Sequence, residues 1–255
     1  MPFTPIEPEK ISQSIVQQIE LLILRGILRP AERLPSERDL ADRFGVSRPS
    51  VREAIAVLHT RGLLTSRPNA GIFVAEVLGS AFSPALIELF STHQEAVFDS
   101  LTFRRDLEGL AAERAARHAS NTDLQVIATV FDRMEAAHQK RDPEEESDLD
   151  AKFHLAIIEA SHNVILLHMM RSMYDLLRQG VFYNRQILFK NRPTRDLLLD
   201  QHRAIKTAIL ARQPQEARLA VARHMDFIEQ AMHDQVKADK HEAIARLRLE
   251  HEHNR

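Results

Sequence analysis

Apolar residues at Ile11, Ile15, Ile19, Leu22 and Ile23 recur at helical spacing, until "RGILRPAERLP" breaks the pattern with Gly26, Pro30 and Pro35. Ser36 is a good N-cap for a short helix through "ERDLADRF", which Gly45 ends. Ser47 then caps "RPSVREAIAVLHTR", closed by Gly62. Two short helices joined by "GVS" are the sequence form of a helix-turn-helix. After them, "LLTSR" and "GIFVAEV" alternate as two strands around "PNA". A helix-turn-helix followed by a hairpin predicts a winged helix over residues 1–76. Gly79, Ser80, Ser83 and Pro84 mark a linker over 77–95, with room for one short helix. From there the helical period dominates, predicting helices near 96–119, 121–140, 145–161, 163–190, 194–212 and 214–240. Their breaks are "SNTD", "RDPEE", "SHN", "NRPT" and "RQP". The fold class is mainly α: a winged helix-turn-helix with a short β-hairpin wing, then an all-α bundle over 96–240. Residues 241–255 form a charged, solvated tail, a helix that frays.

Composition sharpens this picture. The 255 residues are 44% hydrophobic, enough for a sizeable core, and the net charge is −2. A nucleic-acid partner would therefore need basic residues concentrated locally. The chain has no cysteine, which excludes disulfides, thiolate zinc sites and cysteine nucleophiles and suits a reducing cytoplasm. "MPFTPIEPEK" has no signal-peptide pattern, and no apolar run approaches a membrane span, so a soluble cytoplasmic protein is expected. The "EEE" at 144–146 and the histidines of the tail read as surface residues.

The local basic concentration exists. No lysine lies between Lys10 and Lys140, and Arg29, Arg33, Arg38, Arg43, Arg48, Arg52, Arg61 and Arg67 crowd the helix-turn-helix. Arginine grips phosphate and reads guanine with a planar fork. Arg48 and Arg52 stand one turn apart at the start of the second helix, the end that enters a major groove. Ser47 and Ser50 can add phosphate bonds. The competing reading is a solvated helix whose arginines pair with Glu37, Asp39, Asp42 and Glu53. "LPSERDLADRFGVSRPSVREAIAVLHTRGLLTSRPNAGIFV" closely resembles the winged-helix signature of the GntR family of bacterial transcription regulators. The resemblance implies that Arg38, Arg48 and Arg52 contact operator DNA and that the wing, with Arg67 and Asn69, reaches the minor groove. Family members often carry Gly-x-Gly at the wing tip, where this chain has Asn69-Ala70-Gly71.

A second constellation lies in the bundle. "LDAKFHLAI" places Asp150 and His154 one turn apart on an apolar face. His202 shares a face with Leu198, Ile205 and Ile209, and His224 with Ala217, Val221 and Ile228. The turn between those helices falls near Gln213-Pro214, midway between the two histidines, so an antiparallel hairpin sets both imidazoles at one level. Three histidines and a carboxylate would then converge, a set suited to zinc, with nickel or manganese as alternatives. The competing reading is core histidines bonded to backbone carbonyls. His118, His138, His162, His168 and His233 read as structural or surface residues, and Met169, Met170 and Met173 as core filling.

"FRRDLEGLAAERAA", "DAKFHLAIIEASHN", "QHRAI" and "ARHMDFI" resemble the effector domain of FadR-type GntR regulators, the FCD domain. There an Asp-x-x-x-His, His, His pattern binds a metal inside a six- or seven-helix bundle, which implies Asp150, His154, His202 and His224 as ligands. The family's pocket arginine matches Arg104, with Asn163 as a further polar contact to a small carboxylate effector. "LIELFSTH", "SHNVILLH" and "RPTRDLLLDQH" are similar to the lactate-, glycolate- and pyruvate-responsive members, and retention of the metal histidines favours lactate or glycolate. The expectation is a homodimeric DNA-binding regulator that senses a 2-hydroxy- or 2-oxo-acid through a metal, with no membrane partner and no catalysis. Two alternatives stand beside it: a purely structural metal site with another ligand or none, and a metal-dependent hydrolase with Glu159 as its base.

Overall fold

The computed structural model describes residues 11–68, 70–76, 83–140, 142–178 and 192–253. The chain divides into two compact units, residues 1–81 and 82–255.

The first unit follows its apolar periodicity. Helix α1 (Ile11–Leu24) buries Ile15, Val16, Ile19 and Ile23, while Ile11, expected on that face, is 57% exposed in the first turn. Helix α2 (Glu37–Phe44) starts at Ser36, whose Oγ accepts the Asp39 amide at 3.2 Å. It stops at Gly45, whose φ of +64° is the left-handed conformation that glycine adopts at least cost. Helix α3 (Arg48–Thr60) is capped by Ser47 and turns Val51, Ala54, Ile55 and Leu58 inward against α1 and α2. Burying a side chain the size of Leu58 contributes about 1.5–3 kcal/mol. Strands β1 (Leu64–Arg67) and β2 (Gly71–Val74) pair antiparallel, with Leu64 opposite Val74 and Arg67 opposite Gly71. Residues 31–34 line the free edge of β2: the Leu34 amide donates to Ile72 O and the Val74 amide to Glu32 O, each at 2.9 Å. The wing is thus a three-ply edge, of which only the hairpin was expected.

The second unit is all helix among the described residues: α4 (Pro84–Thr92), α5 (Gln94–His118), α6 (Asn121–Lys140), α7 (Pro143–Ala160), α8 (Val164–Arg178), α9 (Arg192–Leu210) and α10 (Pro214–His253). Helix α5 packs along α10 and α7, α6 packs on α7 and α9, and α9 on α10. Ala111, Ala112, Ala115 and Ala116 are all buried, so α5 presents a smooth surface to its neighbours. At Gly109 a methyl group would stand 3.3 Å from Arg218 Cγ of α10, so the two helices run close there.

Helix α4 fills the room left for a short helix, and α5 starts two residues before the expected 96. The charged tail is helical as expected and continues α10 without a break, because no glycine or proline between 215 and 253 interrupts it. Two expectations need correction. Glu146 is buried, since α7 turns that position toward Arg195. Met169 is 57% exposed while Met170 and Met173 are buried, because α8 turns only one face inward. The helix expected over 163–190 is described to Arg178; its remainder lies outside the described residues.

Candidate metal centre

Helix α7 opens at Asp142, whose Oδ1 accepts the Glu144 and Glu145 amides, and its register sets Asp150 and His154 one turn apart facing the core. Helices α9 and α10 form the antiparallel hairpin, turning at Ala211–Gln213 where Arg212 has φ +57°. His202 and His224 consequently face one another with ring centroids 4.3 Å apart. Asp150, His154, His202 and His224 are 4, 2, 1 and 0% exposed.

One donor atom from each of the four lies within 4.8 Å of all the others. His202 Nε2 stands 2.9 Å from Asp150 Oδ1 and 3.1 Å from His154 Nε2, and His154 Nε2 stands 3.8 Å from Asp150 Oδ1. Donors about 2.0–2.2 Å from a tetrahedral zinc are about 3.3 Å from each other, so these separations bracket what a bound ion requires.

The surrounding bonds set the tautomers. His224 Nδ1–H donates to Gln201 Oε1 at 2.9 Å, which leaves Nε2 as a lone pair; that buried atom has no hydrogen-bond partner among the described residues. His154 Nδ1 lies 2.7 Å from Glu108 Oε2, which likewise aims Nε2 inward. Burial, reinforced by the neighbouring imidazoles, pushes His224 well below the ordinary histidine range. His202 is lowered too, chiefly by burial and against the pull of Asp150. Neutral imidazoles with inward lone pairs are metal ligands, and the donor set fits a divalent ion.

Glu108 is the least expected member. Its burial alone would raise its pKa, but Arg104 and His154 outweigh that and hold it at about 2. Its Oε1 accepts from Arg104 Nε at 2.7 Å and from the Tyr174 hydroxyl at 2.8 Å. Arg104 is 0% exposed and its Nη2 lies 3.5 Å from the Tyr174 oxygen. Near this cluster, a cleft with about 240 Å³ of empty space, open mouth included, is lined by Met134, His138, Glu146, Arg195, Leu199 and His202. Of the four candidate ligands, His202 is the one that lines it. In its wall Arg195 lies 2.6 Å from Glu146 and donates to the His138 carbonyl at 2.8 Å.

Other expected residues take these places. Asn163 caps α8, its Oδ1 accepting the Leu166 amide at 3.1 Å. Glu159 pairs with Arg171 at 2.8 Å. His138 stands between Glu146 and Asp196, His162 pairs with Asp123, and His233 stacks on Phe98. In the first unit, Arg38, Arg48 and Arg52 are exposed on α2 and at the start of α3. Arg52 also contacts Glu37 at 3.2 Å. Ser47 Oγ caps α3 and lies 2.9 Å from Ser50 Oγ. Arg67 is exposed on the wing, its guanidinium 4.5 Å from the Phe73 ring centre. Asn69 lies outside the described residues.

Residue spacing did not reveal Glu108, Gln201, Tyr174 or the Glu146–Arg195 pair. Glu108 and Gln201 lie within "FRRDLEGLAAERAA" and "RPTRDLLLDQH", but their roles arise only from contacts across helices.

The model of bacterial regulatory proteins of the gntR family matches residues 11–74, and that of the FCD domain matches residues 99–227. The chain is 35% identical over 255 residues, 97% of each chain, to an Escherichia coli (strain K12) protein named for regulation of the L-lactate dehydrogenase operon. It is 34% identical to the Glc operon transcriptional activator of the same strain, covering 93% of this chain and 94% of that one. It is 30% identical to the HTH-type transcriptional regulator LutR of Bacillus subtilis (strain 168), covering 83% and 96%. Among solved structures, Streptococcus agalactiae GntR superposes with a TM-score of 0.52 at 22% identity, over 86% of this chain and 99% of that one, a likeness of fold alone.

Proposed function

The chain belongs to the gntR family of bacterial regulatory proteins and carries an FCD domain, and from that premise we propose that its helical unit senses a small 2-hydroxy- or 2-oxo-carboxylate through a bound divalent metal. The protein is a DNA-binding transcription regulator, not an enzyme. No described helix is long and apolar enough to cross a membrane. The regulator acts as a homodimer whose two winged helices occupy the halves of a near-palindromic operator through Arg38, Ser47, Arg48, Ser50, Arg52, Arg67 and Asn69.

The observation that carries the sensor reading is the buried set Asp150, His154, His202 and His224 with Arg104 close by. Set against each other, the two carboxylates of Asp150 and Glu108 and the one guanidinium of Arg104 leave one net negative charge in this buried group. A divalent ion would turn that into one positive charge, and a monoanionic acid would bring it to zero. Buried charge without compensation is expensive, so the metal-loaded cluster favours an anionic ligand. When bound, the metal supplies the positive charge that two vicinal oxygens of a hydroxy- or keto-acid can chelate. Arg104 takes the carboxylate through its fork, and Asn163 is a further polar contact. The name of the relative linked to the L-lactate dehydrogenase operon supports a small 2-hydroxy-acid of the lactate kind as the first candidate, with glycolate beside it. Zinc suits the ligands best, with nickel or manganese as alternatives. The acid governs DNA binding by favouring one arrangement of the dimer over another.

One observation favours a second reading. Four protein donors complete a tetrahedral zinc shell, as structural sites do, so an acid must expand the coordination to bind. Thermal unfolding of metal-loaded and chelator-treated protein against glycolate, L- and D-lactate, pyruvate, acetate and citrate separates the two. The sensor reading expects one hydroxy- or keto-acid to raise the midpoint with concentration, and only while metal is present. A midpoint raised by metal and indifferent to every acid makes the site a structural staple.

A further inference from the structure

Glu108 sits between two groups with different tasks. Its Oε2 is 2.7 Å from Nδ1 of His154, a candidate ligand on α7. Its Oε1 takes Arg104 Nε at 2.7 Å and the Tyr174 hydroxyl at 2.8 Å. All four side chains are buried, and water does not screen the contacts. We propose that Glu108 is a positioning residue that joins the metal cage to Arg104, so that whatever engages the guanidinium alters how strongly His154 binds the ion.

The chemistry follows from sharing one carboxylate. A carboxylate charge held against Nδ1 of a ligand imidazole raises the donor strength of Nε2. Arg104 and Tyr174 draw on the same charge from the other side. When an anion takes up the guanidinium, more of the Glu108 charge is left to His154, and the metal is held more tightly. Linkage requires the reverse as well: an occupied cage must favour an anion at Arg104. Gln201 provides the contrast, because it orients His224 from α9 and none of its described bonds leads to Arg104.

This proposal rests on the metal reading above, and cobalt(II) alone tests it on the full chain. Cobalt affinity is measured by chelator competition, and the visible absorption of the bound ion reports its ligand field. Glu108→Gln is expected to weaken cobalt binding about 10–100-fold, the usual effect of removing such a partner. Arg104→Lys, at a residue whose described bonds run to Glu108 and Tyr174, is expected to shift the cobalt bands and to change affinity severalfold. That change should disappear in a Glu108→Gln background and persist in a Gln201→Leu background. Tyr174→Phe keeps both charges and is expected to move the bands in the same direction as Arg104→Lys, so it serves if that variant does not fold. Two results overturn the coupling and leave the metal site standing. One is bands and affinity unmoved by Arg104→Lys or Tyr174→Phe; the other is an Arg104→Lys effect of equal size with and without Glu108→Gln. A wild-type chain that binds no cobalt overturns the metal reading and the coupling together.

Discussion

A buried imidazole is a proton-counting device. His202 and His224 are held below the ordinary histidine pKa by burial, and Glu108 is held at about 2 against its burial by Arg104 and His154. The folded forms are therefore neutral histidine and ionised glutamate. A histidine depressed in the fold contributes stability that is complete above about pH 6.5 and is lost as the pH falls below it. Glu108 acts in the same direction lower down, its contribution complete above 4.5 and lost toward about 2. Metal-free protein should thus show a denaturation midpoint that is level from pH 7.5 to about 6.5, declines from there to pH 5 and continues to decline toward pH 3. A midpoint that rises as the pH falls below about 6.5 would contradict neutral imidazoles in the core. The four candidate ligands were legible because each sat on an apolar face with a reason to be noticed. Glu108 was not, since a glutamate one turn after an arginine reads as an ordinary surface pair until the fold buries both. Glu146 misled for the same reason: in a run of three glutamates only the helix register decides which one turns inward.

Elements were legible wherever caps and periodicity agreed. Helix α6 runs Asn121–Lys140, as its pattern predicts, and α7 begins two residues earlier than expected because Asp142 caps it. The edge formed by residues 31–34 was hidden, since "PAERLP" has prolines where a strand signal would stand and its bonds to β2 depend on tertiary placement. Helix α3 is the element that carries the DNA proposal. Its N-terminal end presents the positive end of the helix dipole, the serine cap and two exposed arginines, all of which favour phosphate. The Arg52–Glu37 pair is exposed and contributes at most about 1 kcal/mol, so phosphate can displace it. Arg48→Ala is expected to weaken operator binding at least tenfold while leaving the unfolding midpoint and metal binding unchanged. A gel-shift titration at fixed salt beside a thermal melt checks both, and undiminished operator affinity would refute the recognition-helix assignment.

The whole molecule divides its tasks between two units with separate cores. The cage lies wholly in the second, since Asp150, His154, His202 and His224 all come from α7, α9 and α10. A ligand that binds only the folded state stabilises the unit that holds it. Calorimetry with and without a chelator should therefore move the transition of the helical unit by several degrees and leave that of the winged helix in place. Equal shifts in both would show that the units melt as one. Composition alone set this division only loosely. A net charge of −2 conceals an arginine-rich head, visible once the lysine-free interval from Lys10 to Lys140 is noticed.

Helix α10 is one uninterrupted rod of 40 residues, about 60 Å long at 1.5 Å per residue. Its first half packs through Ala217, Ala220, Val221, His224, Met225 and Ile228, while from Lys237 onward every described residue is exposed. Backbone hydrogen bonds in the two halves are alike; what differs is the side-chain burial behind them. An isolated helical stretch of that length is marginal in water. The rod should therefore have two lifetimes: amides from 217 to 228 should exchange with deuterium over hours, those beyond 240 within seconds, and the step between them marks where tertiary support ends.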